Sequence, residues 1–514
     1  MTVEGTTTLS LAAVLAESAI RRPEHAAVVQ GDRRLTYAQL WHLAARYAQA
    51  LIDRGVGPGD RVALMAPNTI EFVAGYFGIV AAGGTIVPVP AMLQPKEAAY
   101  LLQHSGARSV VADPSLLPVA SAAAEAVGLP AYALATLADG VAPLPHYVAR
   151  RPDDVAVVFY TSGTSGAPKG ARLTHLNLVM NATVAAFDCF DFTPDDVMFG
   201  CLPLFHVFGQ SCAMTAAFRA GACLVLQPRF EPREALRLMV AEKTTLMLGV
   251  PTMFLYLVQV ADAGRAAGLL PTDGPIVPSL RFAVSGGAAL PSQVQDQFQD
   301  AFGAPMYEGY GLSETSPVAS TNQPILGTRP GTIGKPIWGV DVAVADPGVA
   351  DRVVLLPDGE RGELVIRGHN VFAGYLDDDA ATATAVVDGW FRTGDIGIKD
   401  PDGFIRIVDR TKDVIIRGGY NVYPREVEEL LMTHPDVHQV AVIGLPDPKL
   451  GEEVCAVITP KPGARIDPDE MIAWSRDRLA HHKCPRRVEI VEELPMGPSQ
   501  KVLKRELRSQ YASA

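Results

Sequence analysis

The stretch Val155–Gly170, VAVVFYTSGTSGAPKG, gathers hydroxyls, glycines and one cation behind a hydrophobic run. Val155 to Tyr160 is apolar, β-branched and aromatic, which predicts a buried strand. The chain then enters a loop. Gly163, Gly166 and Gly170 let its backbone take positive φ and approach a ligand closely, while the hydroxyls of Thr161, Ser162, Thr164 and Ser165 and the ammonium of Lys169 supply donors. A polyphosphate suits such a loop. A Ser/Gly-rich surface turn has the same composition. The nucleotide loop of the strand–GxxxxGK[ST]–helix kind fits poorly: Lys169 follows Pro168 and precedes Gly170, and Ala171 to His175 reads as extended, so no helix N-terminus stands behind the loop.

Further candidates lie downstream. His206 sits in LPLFHVFG between Phe205 and Phe208, where a lone histidine is more often a satisfied core residue. SGGAAL brings Gly286, Gly287 and Ala288 ahead of a helix-start turn at Pro291. GYGLSETSP brings Tyr310, Gly311, Leu312, Ser313 and Glu314. Glu314 is either a solvated loop carboxylate or a ligand for a hard cation. Asp395 in RTGD and Arg410 in DRTKDVIIRGGYNVY are compatible with an ordinary structural ion pair.

These residues need elements to carry them. Helices expected at Leu9–Arg21, Tyr37–Arg54 and Ile70–Ala82 alternate with short β runs at Ala27–Val29, Arg61–Met65, Ile86–Val89 and Ser109–Ala112, the pattern of a mostly parallel sheet covered by helices. It repeats after Asp196, with strands expected at Leu224–Leu226, Thr245–Val250, Arg281–Val284 and Pro305–Tyr307. Several end in the loops named above, and ligands of open α/β sheets sit at the carboxyl ends of strands. From Gly331 glycine-punctuated extended runs imply an antiparallel or barrel-like subdomain, and the last hundred or so residues read as a separate α+β module.

At 514 residues, 48% hydrophobic and 19% charged, the chain has material for more than one domain with a large core. A net charge of −12 argues against general nucleic-acid binding. The six cysteines show no metal-ligand spacing and read as reduced core residues of a cytoplasmic protein. The uncharged run Phe72–Pro95 is cut by Gly83-Gly84 and prolines into a helix, a turn and a strand, and Thr244–Ala261 is interrupted by Pro251, so neither reads as a transmembrane segment. Nor does the N-terminus carry a secretory signal.

Taken in order, YTSGTSGAPKG, LPLFHVFG, SGGAAL, YGLSETSP, GYLDDDAATATAVVDGWFRTGD, DRTKDVIIRGGYNVYPREVEE and PSQKVLKREL resemble the motifs of the adenylate-forming enzymes: acyl- and aryl-CoA synthetases, firefly luciferase and peptide-synthetase adenylation domains. The resemblance spans nearly the whole chain and is strongest to a medium- or long-chain fatty-acyl-CoA synthetase. It implies an α/β multi-domain fold: a large N-terminal domain (1–410) of two helix-flanked sheets with a small β-barrel subdomain at about 331–410, a hinge at 411–413, and a mobile α+β C-terminal domain (414–514). It also implies attack of an apolar carboxylate on ATP, with Mg2+, giving acyl-AMP and pyrophosphate, followed by transfer to CoA. A carrier protein or partner enzyme in place of CoA is the alternative acceptor, and a homo-oligomer is compatible with the sequence.

By the same resemblance, Thr161 to Lys169 hold the β- and γ-phosphates and Glu314, with Ser313 beside it, holds Mg2+. Gly286, Gly287, Ala288, Tyr310 and Gly311 wall the adenine, and Asp395 and Arg410 bind the ribose. His206, Val207, Gly209, Gln210, Gly286, Leu312 and Val318 shape the acyl pocket, the small residues leaving room for a bulky acid. Lys412 matches the hinge position, and the Arg417-Gly418-Gly419 turn and the basic Lys483/Arg486/Arg487 cluster are compatible with a CoA path. Lys501 is the catalytic cation near the C-terminus, with Lys504 and Arg505 as neighbouring candidates. Gln500 stands where the family usually has glycine. A carboxylate is already ionised at neutral pH, so the first step needs charge neutralisation and in-line positioning rather than a general base, which agrees with a site rich in cations and donors.

Overall fold

The computed structural model describes residues 7–161, 168–410, 413–497 and 502–512. The chain divides into two compact units, the first comprising 1–330, 334–342 and 366–391, the second 331–333, 343–365 and 392–514.

The first unit holds two large sheets. One has six strands in the order Ala131–Ala133, Ser109–Ala112, Arg61–Met65, Thr85–Pro88, Val155–Thr161, Lys169–Thr174. All neighbours are parallel except the last pair, an antiparallel hairpin that sets Thr161 opposite Lys169. The extended reading holds for Ala171 to Thr174, in the return strand of the hairpin, but His175 opens a helix, His175–Thr183, that Thr174 and Asn177 cap reciprocally. The second sheet has nine strands in the order Lys335–Pro336, Val318–Thr321, Met306–Gly311, Phe282–Ser285, Leu246–Gly249, Val197–Gly200, Cys223–Leu226, Ala26–Gln30, Arg33–Thr36. The first strand of the chain therefore joins the second sheet, parallel to Cys223–Leu226 with Val28 opposite Leu224.

The helices follow local rules. Tyr37–Asp53 begins at a capping box in which Thr36 Oγ1 accepts from Gln39 N at 3.3 Å and Gln39 Oε1 accepts from Thr36 N at 2.9 Å. Ile70–Ala81 is buried at every position but Glu71, which is why its sequence is apolar all round. It packs at Gly78, where an added Cβ would lie 2.8 Å from Tyr47 Cβ. Pro251 opens the helix Pro251–Ala266 directly after the strand Leu246–Gly249, so that uncharged run is two elements. No helix among the described residues is long and apolar enough to cross a membrane.

The small β region is a five-stranded sheet, Val340–Ala345, Arg361–Gly368, Trp390–Lys399, Val386–Val387, with Ile405–Arg410 also pairing Trp390–Lys399. In the second unit a further sheet runs Tyr420–Val422, Ile415–Arg417, Gly451–Pro460, Val437–Asp447, with Arg487–Ile490 parallel to Gly451–Pro460. Alternate residues of its long strands feed two cores. Val442, Val454 and Ala456 face the helices Pro424–Leu431 and Pro468–Arg476, while Ala441, Ile443 and Cys455 meet Leu494 and Leu507 of the C-terminal segment.

Candidate active site

The strands Val197–Gly200, Leu246–Gly249, Phe282–Ser285 and Met306–Gly311 are parallel neighbours, so the loops that leave their carboxyl ends share one edge of the nine-stranded sheet. These loops are LPLFHVFG, the approach to Pro251, SGGAAL and LSETSP.

Glu314 sits in a tight turn, Ser313–Thr315, and is only 8% exposed. Its backbone is over-determined. Thr315 Oγ1 accepts from Leu312 N at 2.9 Å, Ser316 Oγ donates to Asn370 O at 2.8 Å, and Ser211 Oγ donates to Ser316 O at 2.9 Å. Gly311 is required here, because a Cβ would lie 1.7 Å from Pro317 O. That close approach accounts for this glycine independently of any adenine wall.

The hairpin of the six-stranded sheet meets this turn. Thr161 Oγ1 lies 3.5 Å from Glu314 Oε1, and Tyr375 donates its hydroxyl to the same oxygen at 2.9 Å. Across the hairpin, Lys169 Nζ lies 3.4 Å from Asp378 Oδ2 and 5.3 Å from the centroid of the Tyr375 ring. Burial and the neighbouring Glu314 carboxylate push the Tyr375 phenol well above its ordinary range, so it is a standing donor. Among the described residues, Glu314 Oε2 receives no hydrogen bond, and no cluster of three or more His, Cys, Asp or Glu side chains forms a metal cage. One buried carboxylate with an open oxygen fits Mg2+, which keeps several waters and takes its other ligands from substrate phosphates.

Ser162, Gly163, Thr164, Ser165 and Gly166 of the phosphate loop, Lys412 and Lys501 lie outside the described residues. The stem that carries Lys501 is described: Met496 and Val502 form an antiparallel bridge, and Leu503 N donates to Pro495 O at 2.8 Å. Past it, Lys504 Nζ is paired with Glu428 at 2.7 Å.

Gly286 is buried and Gly287 takes φ +81° at the head of SGGAAL, with Ala288 exposed next to it. A Cβ on Gly286 would lie 3.0 Å from Phe208 Cζ, so Phe208 faces this glycine. Phe208 begins a π-helical segment, Phe208–Thr215, and donates its N–H to His206 Nδ1 at 3.3 Å. Val207 is buried, Leu312 is half-buried, and the half-buried Val318 is held through its N–H and C=O by the Asn181 amide at 3.2 and 2.8 Å. Tyr310 is buried on Met306–Gly311.

Two expectations, at Gly209 and Arg417, are corrected. Gly209 does not leave space for an acid: a Cβ there would lie 2.4 Å from Pro203 O, so its missing side chain admits the chain's own backbone. Gln210 is fully buried, its amide N–H donating to Leu204 O at 3.0 Å and its Oε1 without a hydrogen-bond partner among the described residues. Arg417 is 4% exposed, pairs with Glu453 Oε1 at 2.7 Å and donates to His482 O at 2.8 Å, so it is a structural brace with no cation to spare for CoA. Lys483 and Arg487 are likewise engaged, by Glu426 and Glu489 at 2.5 and 2.6 Å. Gly418 and Gly419, at φ +58° and +84°, form the tip of the hairpin that Arg417 braces.

In the second unit Asp395 and Arg410 stand opposite each other in register, Arg410 Nε 2.9 Å from Asp395 Oδ1, with Asp395 buried and Arg410 exposed. The two form an ion pair across neighbouring strands. Next to it, burial pushes the Asp409 carboxyl up to about 6, against the pull of the Arg425 and Arg410 backbone N–H groups it accepts.

Tyr375 and Asp378 stand in the motif GYLDDDAATATAVVDGWFRTGD, but their residue types name no role there. Asp378 announces itself only as a helix cap, accepting from Ala381 N at 2.9 Å. Tyr375 looks like one more buried aromatic.

Residues 15–376 match the model of the AMP-binding enzymes and 426–501 that of the AMP-binding enzyme C-terminal domain. The chain belongs to this adenylate-forming family. It is 37% identical to a feruloyl-CoA synthase of Amycolatopsis sp over 95% of this chain and 96% of the relative. It is 33% identical to a long-chain-fatty-acid–CoA ligase of Bacillus subtilis (strain 168) over 97% and 94%. Its fold superposes on ATP-bound MatB from Rhodopseudomonas palustris with TM-score 0.91 at 32% identity, covering 98% of this chain and 99% of that one.

Proposed function

We propose that this enzyme activates a bulky or long apolar carboxylic acid. The chain is an AMP-forming acid–thiol ligase using ATP, Mg2+ and CoA. The carboxylate oxygen bonds to the α-phosphorus as the bond to pyrophosphate breaks; the CoA thiolate then attacks the acyl carbon and AMP leaves. The observation that carries the site assignment is the meeting at Glu314 of two elements far apart in sequence, the Thr161/Lys169 hairpin and the LSETSP turn.

In this reading Thr161 and Lys169, with Ser162, Gly163, Thr164, Ser165 and Gly166, bind the β- and γ-phosphates. Glu314, with Ser313 beside it, would hold Mg2+, which would supply neutralisation of phosphate charge. Gly286, Gly287, Ala288, Tyr310 and Gly311 seat the adenine, and Asp395 and Arg410 bind the ribose hydroxyls. His206, Val207, Phe208, Gly286, Leu312 and Val318 form the acyl wall, which is apolar but for His206. Gly418 and Gly419 border the thiol's path. Six buried, unpaired cysteines support a cytoplasmic location.

The wall makes a prediction. Gly286→Leu forces Phe208 aside and shortens the pocket, shifting relative kcat/KM toward smaller acids by about tenfold or more, the scale of one or two methylenes in an apolar pocket. Adding Phe208→Ala reopens the space and returns the preference toward larger acids. A specificity ratio that moves with neither substitution removes Gly286 from the wall.

The general test is pyrophosphate release over acids of graded size, with and without CoA. Release that depends on an apolar acid and yields a thioester with CoA is expected. Release with no thioester turns the assignment to a carrier protein or partner enzyme as acceptor, and activity confined to short polar acids overturns the substrate class.

A further inference from the structure

The phenol of Tyr375 touches both charged groups of the phosphate end at once. Its backbone is fixed: Tyr375 N donates to Thr382 Oγ1 at 2.9 Å, and Arg172 N donates to Gly374 O at 3.0 Å. Its ring packs edge-on against Phe372, centroids 4.8 Å apart at 73°. A ring held this firmly delivers its hydroxyl to one place, Glu314 Oε1 at 2.9 Å, and its face to another, the Lys169 ammonium at 5.3 Å. A carboxylate only accepts, so the phenol must donate. Occupying Oε1 fixes the carboxylate rotamer and turns the lone pairs of Oε2 to whatever the site binds. A free glutamate in solution has no such preference, and ordering it costs side-chain entropy that the tyrosine has already met.

We propose that Tyr375 is a positioning residue for the first half-reaction, its hydroxyl aiming Glu314 at the cation and its ring face holding Lys169 at the mouth of the phosphate loop. The two functions separate by atom. Tyr375→Phe deletes the hydroxyl and keeps the ring; Tyr375→Ala deletes both. The inference rests on Glu314 as the Mg2+ carboxylate, and the test distinguishes the two.

The experiment is calorimetric titration of ATP into the full-length wild type, Tyr375→Phe and Tyr375→Ala, each with and without Mg2+. For wild type, Mg2+ tightens ATP binding. For Tyr375→Phe, metal-free ATP affinity is expected to match wild type while the tightening by Mg2+ falls about tenfold, or about 1.4 kcal/mol, the scale of one hydrogen bond to a charged group. For Tyr375→Ala, metal-free affinity falls as well, because the cation loses its aromatic seat. A merely structural tyrosine would move affinity with and without Mg2+ together. Equal Mg2+ enhancement in wild type and Tyr375→Phe overturns the proposal with the Glu314 assignment intact, whereas a wild type whose ATP binding ignores Mg2+ overturns both. Should Tyr375→Ala fail to fold, the phenylalanine variant alone decides, since it preserves the packing on Phe372.

Discussion

Glu314→Ala loses pyrophosphate release by roughly 10²–10³-fold at ordinary Mg2+, the scale on which removing one preorganised charge contact acts. The reason lies in the split between side chain and backbone at this turn. The backbone of 312–316 is held by Thr315, Ser316, Ser211 and the Phe372 N–H that reaches Glu314 O at 2.9 Å, none of which uses the Glu314 carboxylate. The variant therefore folds, with a melting temperature close to wild type, while the buried carboxylate beside Thr161 is gone. Excess Mg2+ does not rescue it, because the missing element is the ligand. Pyrophosphate release unchanged from wild type would sink the assignment of Glu314 to the cation.

Lys501→Ala separates the two half-reactions. We propose that Lys501 is the cation that meets the charge developing between carboxylate and α-phosphate, needed while ATP is attacked and obstructing a thiol that arrives afterwards. We infer that the C-terminal module rotates about the 411–413 segment between the steps, Lys412 absorbing the φ/ψ change. Lys501→Ala is expected to lose adenylate formation by about 10²-fold or more yet to convert supplied acyl-adenylate and CoA to thioester near the wild-type rate. Lys412→Pro, which fixes φ, should form adenylate and stall before the thioester. Single-turnover assays of each half-reaction read this directly; equal losses in both halves for both variants rule out rotation about Lys412.

Much of the fold was legible because it is local. The capping residues Thr36 with Gln39 and Thr174 with Asn177 act on neighbours a few positions away, so their types carry their meaning. The helices Tyr37–Asp53 and Ile70–Ala81 and the strands Arg61–Met65 and Ser109–Ala112 lie within a residue of where hydrophobic period and caps place them. Gly209 and Arg417 misled for a common reason. A small or cationic side chain suits a ligand site equally well as a close backbone approach or a buried ion pair, and only the neighbours in space tell which.

The sequence by itself determined the α/β class, the order of the motifs and the separate α+β C-terminal module, since strand and helix periods and turn residues are written along the chain. Tertiary structure decided which strands share a sheet: Ala26–Gln30 pairs with Cys223–Leu226, and no local property of either names the other. It also decided that Thr161, Lys169, Tyr375 and Glu314 meet. Burial of the whole apolar surface selects those long-range registers, and it is a property of the complete chain rather than of any window in it.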